Sequence, residues 1–125
     1  MPISSEIKHI FEPTPLQCGQ AVLSMLSGES VESIVNMLSN DRETTLKDMK
    51  TALKNLEISF NDERKEGKEK SDLPPIAILS LETPHCWHWS LYFKGIFYDP
   101  EYGILDDFPP SNRRYFWEII ENVCK

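Results

Sequence analysis

The chain reads as an α+β protein, with N-terminal helices packed on a C-terminal antiparallel sheet, and three observations carry that expectation. Residues 18–56 repeat apolar side chains at helical spacing, residues 76–99 gather into short β-branched and aromatic runs, and a charged stretch separates the two. Helices first and strands afterwards is the order of an α+β domain rather than of alternating α/β units.

Cys18, Ala21, Val22, Met25 and Leu26 follow the i, i+3, i+4, i+7, i+8 spacing of one helix face, and Gly28 supplies a stop. Ser30 is placed to cap a second helix whose face is Val31, Ile34, Val35 and Leu38. Thr45 is placed to cap a third, built on Leu46, Met49, Leu53 and Leu56. From Asp62 to Asp72 the stretch "DERKEGKEKSD" holds five acidic and four basic residues around Gly67 with nothing apolar to bury, so it reads as a solvated loop.

After Pro74 and Pro75 the run "IAILSL", Ile76 to Leu81, is short, continuous and apolar, the pattern of a strand covered on both faces. The runs "WHWSLYF" and "IFYD" flank Lys94-Gly95 and read as a hairpin. In the tail "SNRRYFWEIIENVCK", Ser111 as a cap and Phe116, Ile119, Ile120 and Val123 at helical spacing predict a closing helix.

A length of 125 residues fits a single domain, 1–125, able to bury a core without metals or disulfides. The 40% hydrophobic and 26% charged shares are globular values, and no apolar run approaches the roughly 20 residues of a membrane span. The first ten residues, "MPISSEIKHI", lack the basic start and apolar middle of a secretory signal, which makes a cytoplasmic location the expectation. Cys18, Cys86 and Cys124 are an odd number and read as thiols. A net charge of −7 disfavours nucleic acid as a partner, because phosphate binding needs a basic surface. No cofactor is expected.

Cys18 stands where a proline-punctuated loop, "EPTPLQ", turns into the first helix. Unpaired N–H groups and the dipole at a helix start favour a thiolate, the nucleophilic form, although the same residue could simply begin the buried stripe. Gly19 beside it removes a side chain that would crowd a substrate approaching the sulfur. If Lys94 and Gly95 are the two turn residues, Ser90 faces Asp99 and His88 lies one diagonal step away, on the same sheet face. Diagonal neighbours lie about 7 to 8 Å apart, which an imidazole and a carboxylate can span. Such a carboxylate would fix the ring's tautomer, as in a Cys-His-Asp triad.

The parity that pairs His88 with Asp99 puts His85 on the opposite face, so a metal site from the His85, Cys86 and His88 of "HCWH" is not expected. Trp87, Trp89, Tyr92, Phe93, Phe97 and Tyr98 make the hairpin aromatic, with one face for the core and the other, including Trp87 and Trp89, available to line a groove.

"PTPLQCGQAVLSMLSG" with a later "HWSLYFKGIFYDP" resembles the papain-like cysteine peptidases of the bacteriocin-processing type, which cleave leader peptides after a Gly-Gly pair. The resemblance covers most of the chain and implies a papain-like fold, with Cys18 as nucleophile, His88 as general base and then acid, and Asp99 as the group that orients His88. The implied partner is a peptide or protein substrate.

One departure bears on activity. The family usually has a glutamine six positions before the cysteine, donating its amide to the oxyanion, and this sequence has Glu12. An ionised carboxylate only accepts, and losing one oxyanion donor typically costs about a hundred- to thousandfold in rate. Three routes keep such a site competent: a protonated Glu12, a donor from Gln17, or the Cys18 backbone N–H alone. The rival expectations are the same fold acting as amidase, deamidase or acyl transferase, and a degenerate peptidase fold that binds a peptide or partner.

Overall fold

The computed structural model describes residues 7–84 and 86–121. Three α-helices come first: α1 (Cys18–Ser27), α2 (Val31–Leu38) and α3 (Leu46–Asn55). The end of α1 and the starts of α2 and α3 fall where residue chemistry places them. Gly28 closes α1 with φ 83°, Ser30 Oγ accepts from Ser33 N at 3.1 Å, and Thr45 with Asp48 forms a reciprocal capping box on α3.

Every residue of α1 is buried, including its polar ones. Its apolar stripe packs on the sheet, while Gln20 Nε2 donates to Asn40 O at 2.9 Å and Arg42 O at 2.7 Å, tying down the loop between α2 and α3. A buried amide needs such partners, because leaving its donors unpaired would cost about 1–3 kcal/mol.

The strands are β1 (Lys65–Glu66), β2 (Ile76–Glu82), β3 (Trp87–Phe93), β4 (Ile96–Asp99), β5 (Gly103–Leu105) and β6 (Arg114–Glu118). They form one sheet in the order β1-β6-β2-β3-β4-β5, with every neighbouring pair antiparallel. Ile76, Ile78, Leu91 and Phe93 meet Val22, Met25, Leu26 and Leu53 on the helix side. Ala77, Leu79, Leu81, Tyr92, Phe97 and Phe116 are buried on the other side, under Leu73, Leu105 and Phe108 of the connecting segments. Cover on both faces is why β2 is apolar at consecutive positions instead of alternating.

Two expectations need correction. The closing helix does not exist over residues 114–118, which form β6 between β1 and β2. Its apolar residues do fit a helical period, but Trp117 pairs with Ile78 on the helix side and Phe116 with Leu79 on the far side, a period of two. Aromatic side chains suit a sheet position covered on both faces. Ser111 caps no helix there; its hydroxyl donates to Pro109 O at 2.8 Å. Val123 and Cys124 lie outside the described residues.

The charged stretch is mostly exposed, with Gly67 buried at its centre, and it is not all loop. Lys65 and Glu66 add an edge strand to β6, and a 3-10 turn occupies Lys70–Asp72. A two-residue strand carrying charge is a common way to blunt a sheet edge. Among the described residues no helix is long and apolar enough to cross a membrane.

Candidate active site

The β3–β4 hairpin sets half of the site. Lys94 (φ 48°) and Gly95 (φ 96°) both take left-handed backbone, the primed two-residue turn whose twist matches its flanking strands. Phe93 then pairs with Ile96 and Leu91 with Tyr98, so Ser90 and Asp99 come opposite one another. Alternation puts His88, Ser90 and Asp99 on one face.

His88 Nε2 donates to Asp99 Oδ1 at 2.9 Å, and Ser90 Oγ donates to Asp99 Oδ2 at 2.7 Å. The backbone N–H groups of Glu101 and Tyr102 also donate to Oδ1, at 2.8 and 2.9 Å, so Asp99 caps its own turn while it holds the imidazole. The carboxylate is fully buried. Burial pushes its pKa up, but the bonds from His88, the Tyr102 N–H and Ser90 outweigh burial and hold it below the usual aspartate value.

Burial by itself would strip the proton from His88. Hydrogen bonds to Asp99 and to Cys18, with the charges behind them, reverse this and push the imidazole up to about 10. Because Asp99 takes Nε2, Nδ1 is the ring nitrogen left for the sulfur. Tyr102 packs edge-on against the ring at 6.3 Å between centroids.

Cys18 is the first residue of α1. Gln17, at the N-cap, makes no side-chain cap, and the first turn contains no acidic residue, so the field of the helix start is left for the sulfur. The residue is only 8% exposed, and its sulfur receives a long hydrogen bond from Trp89 N at 3.5 Å. Its Sγ, a ring nitrogen of His88 and a carboxylate oxygen of Glu12 lie within 4.8 Å of one another.

Glu12 is carried there by the segment before α1. Its N–H donates to Pro100 O at 2.9 Å, and His9 Nε2 donates to Asp99 O at 2.8 Å, so this segment is stitched across the β4–β5 turn. Glu12 Oε1 is buried with no hydrogen-bond partner among the described residues. Burial raises the Glu12 pKa, the positive charge of His88 opposes this, and Glu101 and Asp99 add to the rise.

A groove of about 550 Å³ opens beside the thiol. Trp87, Trp89, Tyr115 and Trp117 line its sheet side, Leu16, Cys18 and Thr44 line its helix side, and Arg64 and Glu43 add opposite charges. Trp87 stacks on Tyr115 at 6.1 Å and is 48% exposed, a large apolar surface left open to whatever enters. Trp89 is held by its Nε1, which donates to Thr44 O at 2.8 Å.

The remaining two residues expected at the site face elsewhere. Gln17 Nε2 donates to Asp41 O at 3.0 Å, which turns that amide away from the thiol. Gly19 clears space, but for Thr44: a Cβ at position 19 would sit 2.4 Å from Thr44 Cβ and Oγ1. The need for glycine is therefore helix–loop packing, and the room it leaves is not open to a substrate. Ser90 sits opposite Asp99 as the hairpin register predicts, whereas Thr44, Tyr115 and Trp117 carry no sequence signal that assigned them here, and the last two sit in the strand whose period reads as helix. His85 lies outside the described residues.

No protein-family model matches the chain, and a search of curated proteins finds no match.

Proposed function

We propose that the chain is a papain-like cysteine hydrolase that cleaves a peptide or isopeptide bond through Cys18, His88 and Asp99. The single observation that carries this is the linkage of three buried groups: Asp99 on Nε2 of His88 at 2.9 Å, and the Cys18 sulfur beside the same ring at the mouth of a groove. An imidazolium held next to a thiol at a helix start favours the thiolate.

In the proposed cycle the sulfur attacks the substrate carbonyl carbon, a C–S bond forms, and the carbonyl oxygen takes the charge. His88 passes a proton to the leaving nitrogen as the C–N bond breaks. The ring then takes a proton from water, whose oxygen attacks the thioester and releases the sulfur with a carboxylate product. Asp99 keeps Nδ1 turned toward the sulfur throughout. First-turn N–H groups of α1 and a protonated Glu12 are the donors available to the oxyanion.

Glu12 also favours a second reading. If it is ionised, its carboxylate opposes the oxyanion, and the groove serves to bind a peptide without cleaving it. Amidase, deamidase and acyl-transferase chemistry use the same thioester and are separated from peptidase action by the mass of the product.

Alkylation tests the proposal with an internal control. Cys86 is exposed and Cys18 is buried, so exposure alone makes Cys86 the faster thiol. With iodoacetamide at pH 6, the expected outcome is that Cys18 reacts about tenfold or more faster than Cys86, and that His88→Ala abolishes the difference. A Cys18 that is modified only on unfolding sinks the proposal.

A further inference from the structure

We propose that Glu12, Cys18 and His88 form a binding site for a zinc-class divalent cation, and that the bound ion holds the thiol in a silent state. The site follows from the ligand set. A thiolate, an imidazole and a carboxylate are the donors that a borderline-soft ion such as Zn²⁺ accepts, and here one atom from each lies within 4.8 Å of the other two.

Tetrahedral coordination with bonds of about 2.0–2.3 Å places ligand atoms about 3.3–3.6 Å apart. Closing the trio to that size takes a movement of about an ångström, and the group free to make it is the Glu12 carboxylate, whose Oε1 has no hydrogen-bond partner among the described residues. A buried carboxylate oxygen in that condition is satisfied by a proton or by a cation.

The support behind the ligands is already built. A histidine that ligates through one ring nitrogen usually donates its other N–H to a carboxylate, which fixes the tautomer, and Asp99 does this at Nε2. Asp99 is in turn held by Ser90, Glu101 and Tyr102, so the tautomer and orientation of the His88 ring are already set. The three ligands leave a fourth position for water. This set differs from the "HCWH" residues by drawing on three separate segments, and Glu12 is the member that a glutamine could not replace as an anionic ligand.

On binding, the sulfur and the His88 ring nitrogen beside it both bond to the ion; the proton the pair holds, and that of Glu12 where it is protonated, leave to solvent, with no change of oxidation state. A metal-bound thiolate has its lone pair engaged, and His88 has lost the nitrogen that would receive a proton. Silencing rests on the hydrolase reading, whereas binding does not, and the test separates the two.

The full chain, stripped with a chelator, is titrated with Zn²⁺ against a chromophoric competitor while iodoacetamide alkylation of Cys18 and Cys86 is followed by mass spectrometry. The expected result is one ion per chain, protection of Cys18 but not Cys86, and affinity weakened about ten- to hundredfold in Glu12→Gln. Co²⁺ in place of Zn²⁺ should give thiolate-to-cobalt charge-transfer absorption that Cys18→Ser removes, a readout independent of turnover and of the Glu12 variant.

Unaltered Zn²⁺ affinity in a folded Glu12→Gln, absence of the charge-transfer band in the wild type, or loss of Cys18 protection in Cys86→Ser each overturns the site. If Cys18 is inert in the metal-free chain while Zn²⁺ binding still depends on Glu12, the ion site stands and the hydrolase reading falls. If Cys18 is reactive and Zn²⁺ leaves it so, the reverse holds.

Discussion

Asp99→Asn separates the two roles of Asp99. An asparagine oxygen still accepts from His88 Nε2 and from the Glu101 and Tyr102 N–H groups, and its amide finds the Ser90 hydroxyl, which can rotate to accept. What is lost is the negative charge that helps to hold the His88 proton. The expected outcome is a folded protein in which the His88 ring, followed by NMR, titrates at lower pH than in the wild type. An unchanged His88 titration would mean that the charge of Asp99 contributes nothing and that only its geometry matters. The triad types were legible at this scale because each rests on local rules: a helix start for Cys18, and strand parity around a two-residue turn for His88 and Asp99. Thr44 was not, because its fit against Gly19 depends on a loop that Gln20 anchors through Asn40 and Arg42.

Among the elements, the β3–β4 turn sets the register on which the His88–Asp99 pair depends. Lys94 adopts φ 48°, a conformation that costs an L residue roughly 1–2 kcal/mol and that asparagine tolerates better. Its compensations are an exposed ion pair with Glu121 at 3.3 Å and a place over the Phe93 ring, both weak in water. Lys94→Asn should therefore raise stability by about 0.5–1 kcal/mol in urea unfolding with no change in Cys18 reactivity. A destabilised Lys94→Asn would show that those surface contacts outweigh the backbone cost. The three helices and this hairpin were readable because caps, stops and turn residues are local signals. β6 was not readable, since Phe116, Ile119 and Ile120 satisfy a helical period and only pairing with β2, more than thirty residues earlier, selects the strand.

Over the whole molecule, the buried pair ties stability to pH with a definite sign. His88 is raised from 6.5 to about 10, so the folded chain holds a proton that the unfolded chain gives up above 6.5. That contribution is complete below about 6.5 and disappears as pH climbs through about 10. Asp99 is held below 3.8, so its contribution is present above that value and is lost as acid carries the pH through its lower folded value. Glu12, whose folded pKa is also raised, loses its contribution as pH climbs above the ordinary value of 4.5. The denaturation midpoint of the metal-free chain should therefore decline between about pH 6.5 and 10, with a shallower decline in Asp99→Asn. A midpoint that rises between pH 7 and 10 would reverse the assignment of the proton to His88. The α+β class was legible from the order of periodicities alone. The groove was not, since its sheet wall draws on β3 and β6 together, and half of that wall lies in the misread strand.

The stitching of the first segment across the β4–β5 turn has a consequence in time. Cys18 leaves the ribosome some seventy residues before the strand that carries His88 and Trp89, and Glu12 is held at the site by bonds of its segment to Asp99 and Pro100. Helices α1 to α3 form from near neighbours, whereas the sheet must close over long separations and does so more slowly. During synthesis, therefore, the thiol exists without its base. In the proposed hydrolase, completion of the fold is what arms the thiol, and a growing chain carries no cutting edge with which to damage itself or its neighbours.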